Sequence, residues 1–225
     1  MRIGLPLVLP DAMQVLESMG GSRSGREART EAQKCIAWAI SNAPRLAAPA
    51  AVAEIVAISG STDTGLLLEN GETIPCDVAH FHGADRLAVG VTTLGPLLEQ
   101  EVSRLFACND PLRALALDFV GTITLRSAGS ALREAIAREI ADDMCEIGAR
   151  ISPGCTIVPL EAQRAVFNTA RPSNIGVTLT DSLLMTPIKT ISLLFPMAPN
   201  LPARLRTFNM CSTCVRRSSC ASIHI

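Results

Sequence analysis

Tyrosine is absent from this chain of 225 residues, which holds one tryptophan and six phenylalanines. A surface that stacks nucleic-acid bases needs aromatic rings, and contact with the phosphate backbone needs an excess of positive charge. The formal net charge is −1, from 20 basic and 21 acidic residues. We therefore expect no nucleic-acid partner, and we expect a core built from Leu, Ile, Val and Ala.

Long apolar runs are also absent. The apolar stretch 46–56 is interrupted by Pro49 and Glu54, and no stretch reaches the roughly 20 apolar residues that a membrane span needs. The apolar run at the N-terminus is short, contains prolines and is followed by Asp11, which is atypical of a signal peptide. The sequence predicts a cytoplasmic protein without a membrane partner.

Apolar periodicity predicts a mixture of helices and strands. Apolar residues spaced by three and four predict helices, and short runs rich in Val, Leu and Ile predict strands, two of which flank an Asn-Gly turn. The predicted helices are 25–43, 94–106, 111–148 (with Gly121 and Gly129 at sites of close packing) and 160–167. The predicted strands are 52–58, 65–68, 72–75, 85–92, 177–185 and 189–195. Because strands and helices do not alternate regularly, the pattern favours an α+β fold.

Two segments carry the most specific pattern. The first runs from Arg150 to Pro159 (RISPGCTIVP) and places an arginine at a predicted helix end, before a Pro-Gly loop. A guanidinium can hold a carboxylate through two parallel hydrogen bonds, and the backbone of such a loop can contact an adenine edge. The second runs from Leu179 to Ser192 (LTDSLLMTPIKTIS) and contains the predicted strand pair.

In this order and at this spacing, the two segments resemble the reactivation (activation) domain of cobalamin-dependent methionine synthase. The first matches three of the four fixed positions of its Arg-x-x-x-Gly-Tyr-x-x-x-Pro segment, and the second is similar to its Leu-Thr-Glu/Asp-Ser-x-x-Met-x-Pro strand pair. The resemblance is clear over 150–196 and weaker over 85–147. It implies a free-standing activation-domain-like protein with a twisted antiparallel sheet packed with helices. We expect an N-terminal region at 1–84, an activation-like core at 85–196, and a linker with a cysteine-rich tail at 197–225.

The resemblance also implies a site for S-adenosylmethionine. In that family the arginine holds the carboxylate, the following loop contacts the adenine, and a glutamate on the preceding helix contacts the other end of the amino-acid part. These roles fall on Arg150, on the loop residues Ser152, Gly154 and Cys155, and on Glu134. The alternatives are that Arg150 is a cation at a helix C-terminus and that Glu134 is a solvated helix residue.

The resemblance implies an accessory role in the reductive remethylation of a corrinoid protein, within a methionine synthase-type methyltransferase system of methionine biosynthesis. It leaves open whether this chain is itself an enzyme. No Asp-x-His-x-x-Gly segment is present, so cobalamin would come from a partner, either a corrinoid protein or methionine synthase subunits. Two residues depart from the family pattern: Cys155 replaces the tyrosine that lies against the corrin, and Leu193 replaces a glycine.

The C-terminal tail offers a second candidate site. Cys211, Cys214, Cys220 and His224 lie within fourteen residues at a spacing that suits a zinc ion or an iron–sulfur cluster. The alternative is a frayed chain end with reduced thiols. The tail supports two further hypotheses: a non-enzymatic metal-binding interaction protein that has kept the fold and lost the small-molecule site, or an iron–sulfur reductive activator of corrinoid proteins.

Overall fold

The computed structural model describes residues 1–20, 26–212 and 214, which form helices and antiparallel strands in an α+β arrangement. The helices are α1 (Ala12–Ser18), α2 (Arg26–Leu46), α3 (Val78–Phe81), α4 (Leu97–Ala107), α5 (Pro111–Glu139), α6 (Gln163–Ala170) and α7 (Ala203–Arg206). The strands are β1 (Arg2–Gly4), β2 (Ala50–Ser61), β3 (Gly65–Leu68), β4 (Thr73–Pro75), β5 (Arg86–Thr93), β6 (Glu146–Ile147), β7 (Thr178–Leu179), β8 (Met185–Thr186) and β9 (Thr190–Ala198). The predicted fold class is confirmed.

The main sheet is a curled antiparallel half-barrel in the order β4-β3-β2-β5-β9-β6, with β1 paired to the first residues of β2. Its centre is the β2–β5–β9 triplet, in which β5 pairs along its whole length with both neighbours. The predicted region boundary at residue 84 falls between β2 and β5, so the regions on either side of it share one sheet. β7 and β8 form a separate two-stranded ribbon.

The two faces of the central strands carry side chains of different size. On one face, large residues of β5 such as Leu87, Val89 and Val91 pack against α6 and the 151–158 segment. On the other face, Ala88 and Gly90 lie beneath α5. A Cβ atom on Gly90 would stand 2.8 Å from Leu132 Cδ2, so this glycine lets α5 approach the sheet closely.

Helix α5 occupies the middle of the molecule. Thirteen of its 29 residues are buried, because it packs against the sheet, α2 and α4 at once. Contact on several sides explains a helix without one narrow apolar stripe. The prediction of close packing at Gly121 and Gly129 is confirmed, since a Cβ atom would stand 2.8 Å from Leu98 Cδ2 at the first and 3.1 Å from Leu193 Cδ1 at the second.

Two predicted elements are shorter than expected. The helix predicted over 111–148 ends at Glu139, where a 3₁₀ turn and the left-handed Met144 (φ +49°) redirect the chain into β6. The strand predicted over 177–185 is interrupted by a tight turn, with Leu183 at φ +64° and its amide donating to the Thr180 carbonyl. The hairpin at Asn70-Gly71 is confirmed. No described helix is both long and apolar enough to span a membrane.

Gly148 allows the segment after β6 to lie against β9 and α7, and we expect Gly148→Ala to destabilise the fold by about 1–3 kcal/mol. A Cβ atom there would stand 2.8 Å from Pro196 Cγ, 2.9 Å from the Leu205 carbonyl oxygen and 3.0 Å from the Pro196 carbonyl oxygen. Two of these neighbours are backbone atoms and cannot move away cheaply. The matched control is Gly4→Ala, because nothing lies within 4 Å of a Cβ atom at that position. Urea unfolding checks this prediction, and equal midpoints for the two variants would contradict it.

Candidate ligand site at the loop after β6

The candidate site is built on a bulge that follows β6 along the edge of β9. Ile147 pairs with Met197 and Ile151 pairs with Leu194, so the three residues 148–150 oppose the two residues 195–196 and one residue is extra. The amide of Ala149 donates to the Leu205 carbonyl at 2.7 Å, which ties the bulge to α7. The bulge therefore projects Arg150 from the sheet edge toward α5.

Arginines from both sides connect the bulge to α5. From the helix, Arg133 donates to the carbonyl oxygens of Ile147 at 2.6 Å and Gly148 at 2.8 Å. From the bulge, Arg150 donates from Nη1 to the carbonyl oxygen of Arg126 at 3.3 Å. These contacts hold the loop at a fixed position over the helix.

Arg150 is half-buried and has no carboxylate partner among the residues that the structure describes. Burial, and then the Arg126 guanidinium, lower the pKa of Arg150 from its ordinary value, because both disfavour its charged form. The interpretation of Arg150 as a helix C-terminal cation is wrong, since α5 ends at Glu139 and Arg150 contacts a carbonyl in the middle of that helix. The arrangement presents a partly desolvated cation that suits an anionic ligand.

The loop that follows is a tight turn with an unsatisfied hydroxyl. Gly154 has φ +91°, and its amide donates to the Val158 carbonyl at 2.9 Å. The Asp77 amide donates to the Ile157 carbonyl at 2.8 Å and fixes the turn to the β4–α3 connection. Ser152 Oγ is buried and has no hydrogen-bond partner in the described part of the chain. Leaving such a group unpaired costs about 1–3 kcal/mol, so Ser152 is a good position for a ligand contact.

The end of the described chain covers this loop. The thioether sulfur of Met210 accepts a hydrogen bond from the Ser152 amide at 3.1 Å. The loop and the tail together enclose a cleft of about 500 Å³, a size that suits a small molecule. Its lining residues are Ser152, Pro153, Gly154, Cys155, Thr156, Met210, Cys211 and Cys214. The sequence carries no signal for the contact between Met210 and Ser152, because a lone methionine beyond a proline-rich segment has no periodic or motif context.

Three of the five predicted ligand residues, Ser152, Gly154 and Cys155, line the cleft, and Arg150 lies two residues before them in the bulge, where it contacts α5 and is not among the lining residues. The structure does not bring Glu134 to them. Glu134 is exposed on α5, five residues beyond Gly129, whose Cβ position would stand 3.8 Å from Arg150 Nη1. A ligand role for Glu134 remains a prediction.

The predicted metal ligands are only partly within the described chain. Cys211 and Cys214 line the cleft beside Cys155, whereas Cys220 and His224 lie outside the described residues. Within residues 1–20, 26–212 and 214, no three His, Cys, Asp or Glu side chains form a group that could hold a metal ion. The tail site therefore remains a prediction.

Comparison with known proteins gives a structural likeness alone. No protein-family model matches the chain, and no curated protein matches it. Thirteen chains of solved structures match, among them the crystal structure of the MetH reactivation domain bound to AdoHcy. That structure superposes with a TM-score of 0.64 at 14% identity, over 89% of this chain and 80% of the other. At this identity the likeness shows the fold, and it confirms the predicted activation-domain-like architecture.

The buried Cys76 is expected to react with iodoacetamide at pH 8 at least about 100-fold more slowly than the exposed Cys214. Burial raises the pKa of the Cys76 thiol from 9.0 to about 11, so the reactive thiolate is scarcer at pH 8 by about two powers of ten, before access is considered. Mass-spectrometric labelling rates in native protein measure this difference. In urea the two rates should converge. Fast native labelling of Cys76 would show that its thiol is not held in the core.

Proposed function

We propose that this chain binds S-adenosylmethionine at the loop after β6 and serves as an accessory protein in the reductive remethylation of a corrinoid carried by a separate partner. The observation that carries the proposal is the half-buried Arg150, which contacts a helix carbonyl and has no carboxylate partner among the described residues. The amino-acid carboxylate of the ligand would supply that partner.

The neighbouring groups fit the rest of such a ligand. Ser152 offers a backbone amide and a buried unpaired hydroxyl, and Gly154 gives the tight turn that exposes the loop backbone. A ligand with a carboxylate and ring nitrogens could satisfy these groups at once. The likeness to a reactivation domain bound to AdoHcy supports the same ligand class.

The residues present suggest which part of the methyl transfer this chain would contribute and which part its partner would contribute. The bound ligand would give its methyl group to the partner's corrinoid and leave as S-adenosylhomocysteine, and a separate reductant would supply the electron that reductive remethylation needs. This chain would bind and orient the donor, and such positioning is a sufficient contribution to a group transfer. Cys155, in place of the tyrosine of the resembled family, would present a smaller surface to the corrin.

Arg150→Ala is expected to abolish saturable binding of S-adenosylmethionine, or to weaken it at least about 100-fold, because a charged hydrogen-bonded pair would be lost. Calorimetric titration measures the affinity, and thermal melting by circular dichroism checks that the variant is folded. Arg138→Ala is the matched control, since Arg138 is exposed in the last turn of α5. Equal affinities for both variants would remove Arg150 from the site.

A second candidate function is a metal-binding interaction protein that has the fold without the small-molecule site. The observation that favours it is that Cys211 and Cys214 line one cleft, because soft sulfur ligands suit zinc and iron–sulfur clusters. On this proposal Cys220 and His224 would complete the ligand set.

Metal analysis of anaerobically purified protein tests the second candidate. We expect the Cys211→Ser/Cys214→Ser double variant to lose the metal that the wild-type protein carries. The control is Cys108→Ser, which should retain the metal because Cys108 is an exposed thiol that does not line the cleft. Broad visible absorbance would identify an iron–sulfur cluster and thereby favour the reductive activator, and a colourless metalloprotein would identify zinc. Metal-free wild-type protein would rule out this candidate.

A further inference from the structure

The segment 208–212, which we call the strap, is attached at its base to the body of the protein. Leu205, just before it, is fully buried, and its carbonyl accepts the Ala149 amide. The ring of Phe208 lies edge-on against the ring of His80, with centroids 4.4 Å apart. Phe208 packs against the core cluster that includes α6, and so does Met210 of the tip, which would lose this packing when the tip lifts. The base of the strap is therefore held by apolar packing and by backbone hydrogen bonding.

The tip of the strap is a single 3₁₀ turn, Met210–Ser212, which makes hydrogen bonds to the preceding Asn209. Asn209 accepts the Cys211 amide at its side-chain oxygen (2.9 Å), and its carbonyl accepts the hydroxyl of Ser212 (2.7 Å). The tip reaches the loop after β6 through the hydrogen bond from the Ser152 amide to Met210 Sδ. A compact, self-capped turn can move as a unit without losing its own hydrogen bonds.

When the strap covers the loop, the polar groups of the site have weak hydrogen-bond partners or none among the described residues. A thioether sulfur is a weaker acceptor than an oxygen or a ring nitrogen, yet it occupies the Ser152 amide. Beneath it, Ser152 Oγ stays without a partner, and beside it Arg150 has no carboxylate partner within the described residues. A ligand that brought a carboxylate and nitrogen acceptors would satisfy all three groups better than the strap does.

We propose that the strap is an intramolecular competitor for the ligand site, in which Met210 occupies the Ser152 amide until S-adenosylmethionine displaces it. This inference rests on the proposed function and adds a regulated entrance to it. The apparent dissociation constant then equals the intrinsic one divided by the fraction of molecules with the strap lifted. Weakening the strap raises that fraction and tightens binding.

The first test is the affinity of Met210→Ala for S-adenosylmethionine and S-adenosylhomocysteine, measured by calorimetry on the full chain. The variant should bind at least about threefold more tightly than the wild-type protein. Met13→Ala is the matched control, since Met13 is half-exposed on α1 and packs in neither the cleft nor the strap. Unchanged or weaker binding by Met210→Ala, with Met13→Ala like the wild type, would overturn the proposal.

The second test measures the position of the strap by itself. Dibromobimane, a short bifunctional thiol alkylator, should join Cys155 to Cys211 or Cys214 in reduced native protein, because these thiols line one cleft. Peptide mass spectrometry identifies the linked pair, and Cys155→Ser is the blank. Saturating S-adenosylmethionine should lower the yield at least about threefold. No link in the free protein, or an unchanged yield with ligand bound, would overturn the proposal.

The binding data distinguish a failure of the proposed function from a failure of the strap competition alone. If the wild type, Met13→Ala and Met210→Ala all fail to bind either ligand, the proposed function fails and the competition fails with it. If all three bind with the same affinity, the proposed function stands and the strap does not regulate it.

Discussion

The close packing of α5 on the small-residue face of the sheet determines where the bulge and Arg150 of the candidate site lie. Gly90 leaves room for Leu132, and Gly129 leaves room for Leu193, so the helix lies deep against β5 and β9. At this depth the backbone and side chains of α5 reach the edge of β9. Arg133 can then donate hydrogen bonds to the carbonyls of Ile147 and Gly148, and Arg150 can donate one to the carbonyl of Arg126 on the helix.

This packing also creates a local electrostatic imbalance in a chain of nearly neutral net charge. The bulge meets α5 through guanidinium groups and carbonyl dipoles, and burial, followed by the positive charge of Arg126, lowers the pKa of Arg150. Carbonyls orient a guanidinium without neutralising it. The anion preference that we infer is therefore a property of a few neighbouring groups, and net charge or composition could not have indicated it.

Periodic segments could be predicted from sequence because their neighbours lie close in the chain or on one buried face. Helix α2, the hairpin at Asn70-Gly71 and the strand β5 were all recognisable in this way. The end of α5 was not, because apolar residues such as Met144 and Ile147 continue the helical spacing beyond Glu139 while the left-handed Met144 turns the chain toward β9. The loop motif located the candidate site, but the contact from Met210 spans 58 residues and has no local signature.

Cys155 stands where the resembled family has a tyrosine, and this small side chain faces the strap across the cleft. A thiol covers less area than a phenol ring, so the turn after Gly154 leaves a hollow beside Ser152. The structure closes that hollow with the unbranched, polarisable side chain of Met210 and with Cys211, both of which adapt to irregular space. On the proposal above, a rigid ring at position 155 would fix this side of the cleft, whereas a thiol facing Met210 would leave a cover that a ligand with better hydrogen-bond acceptors displaces.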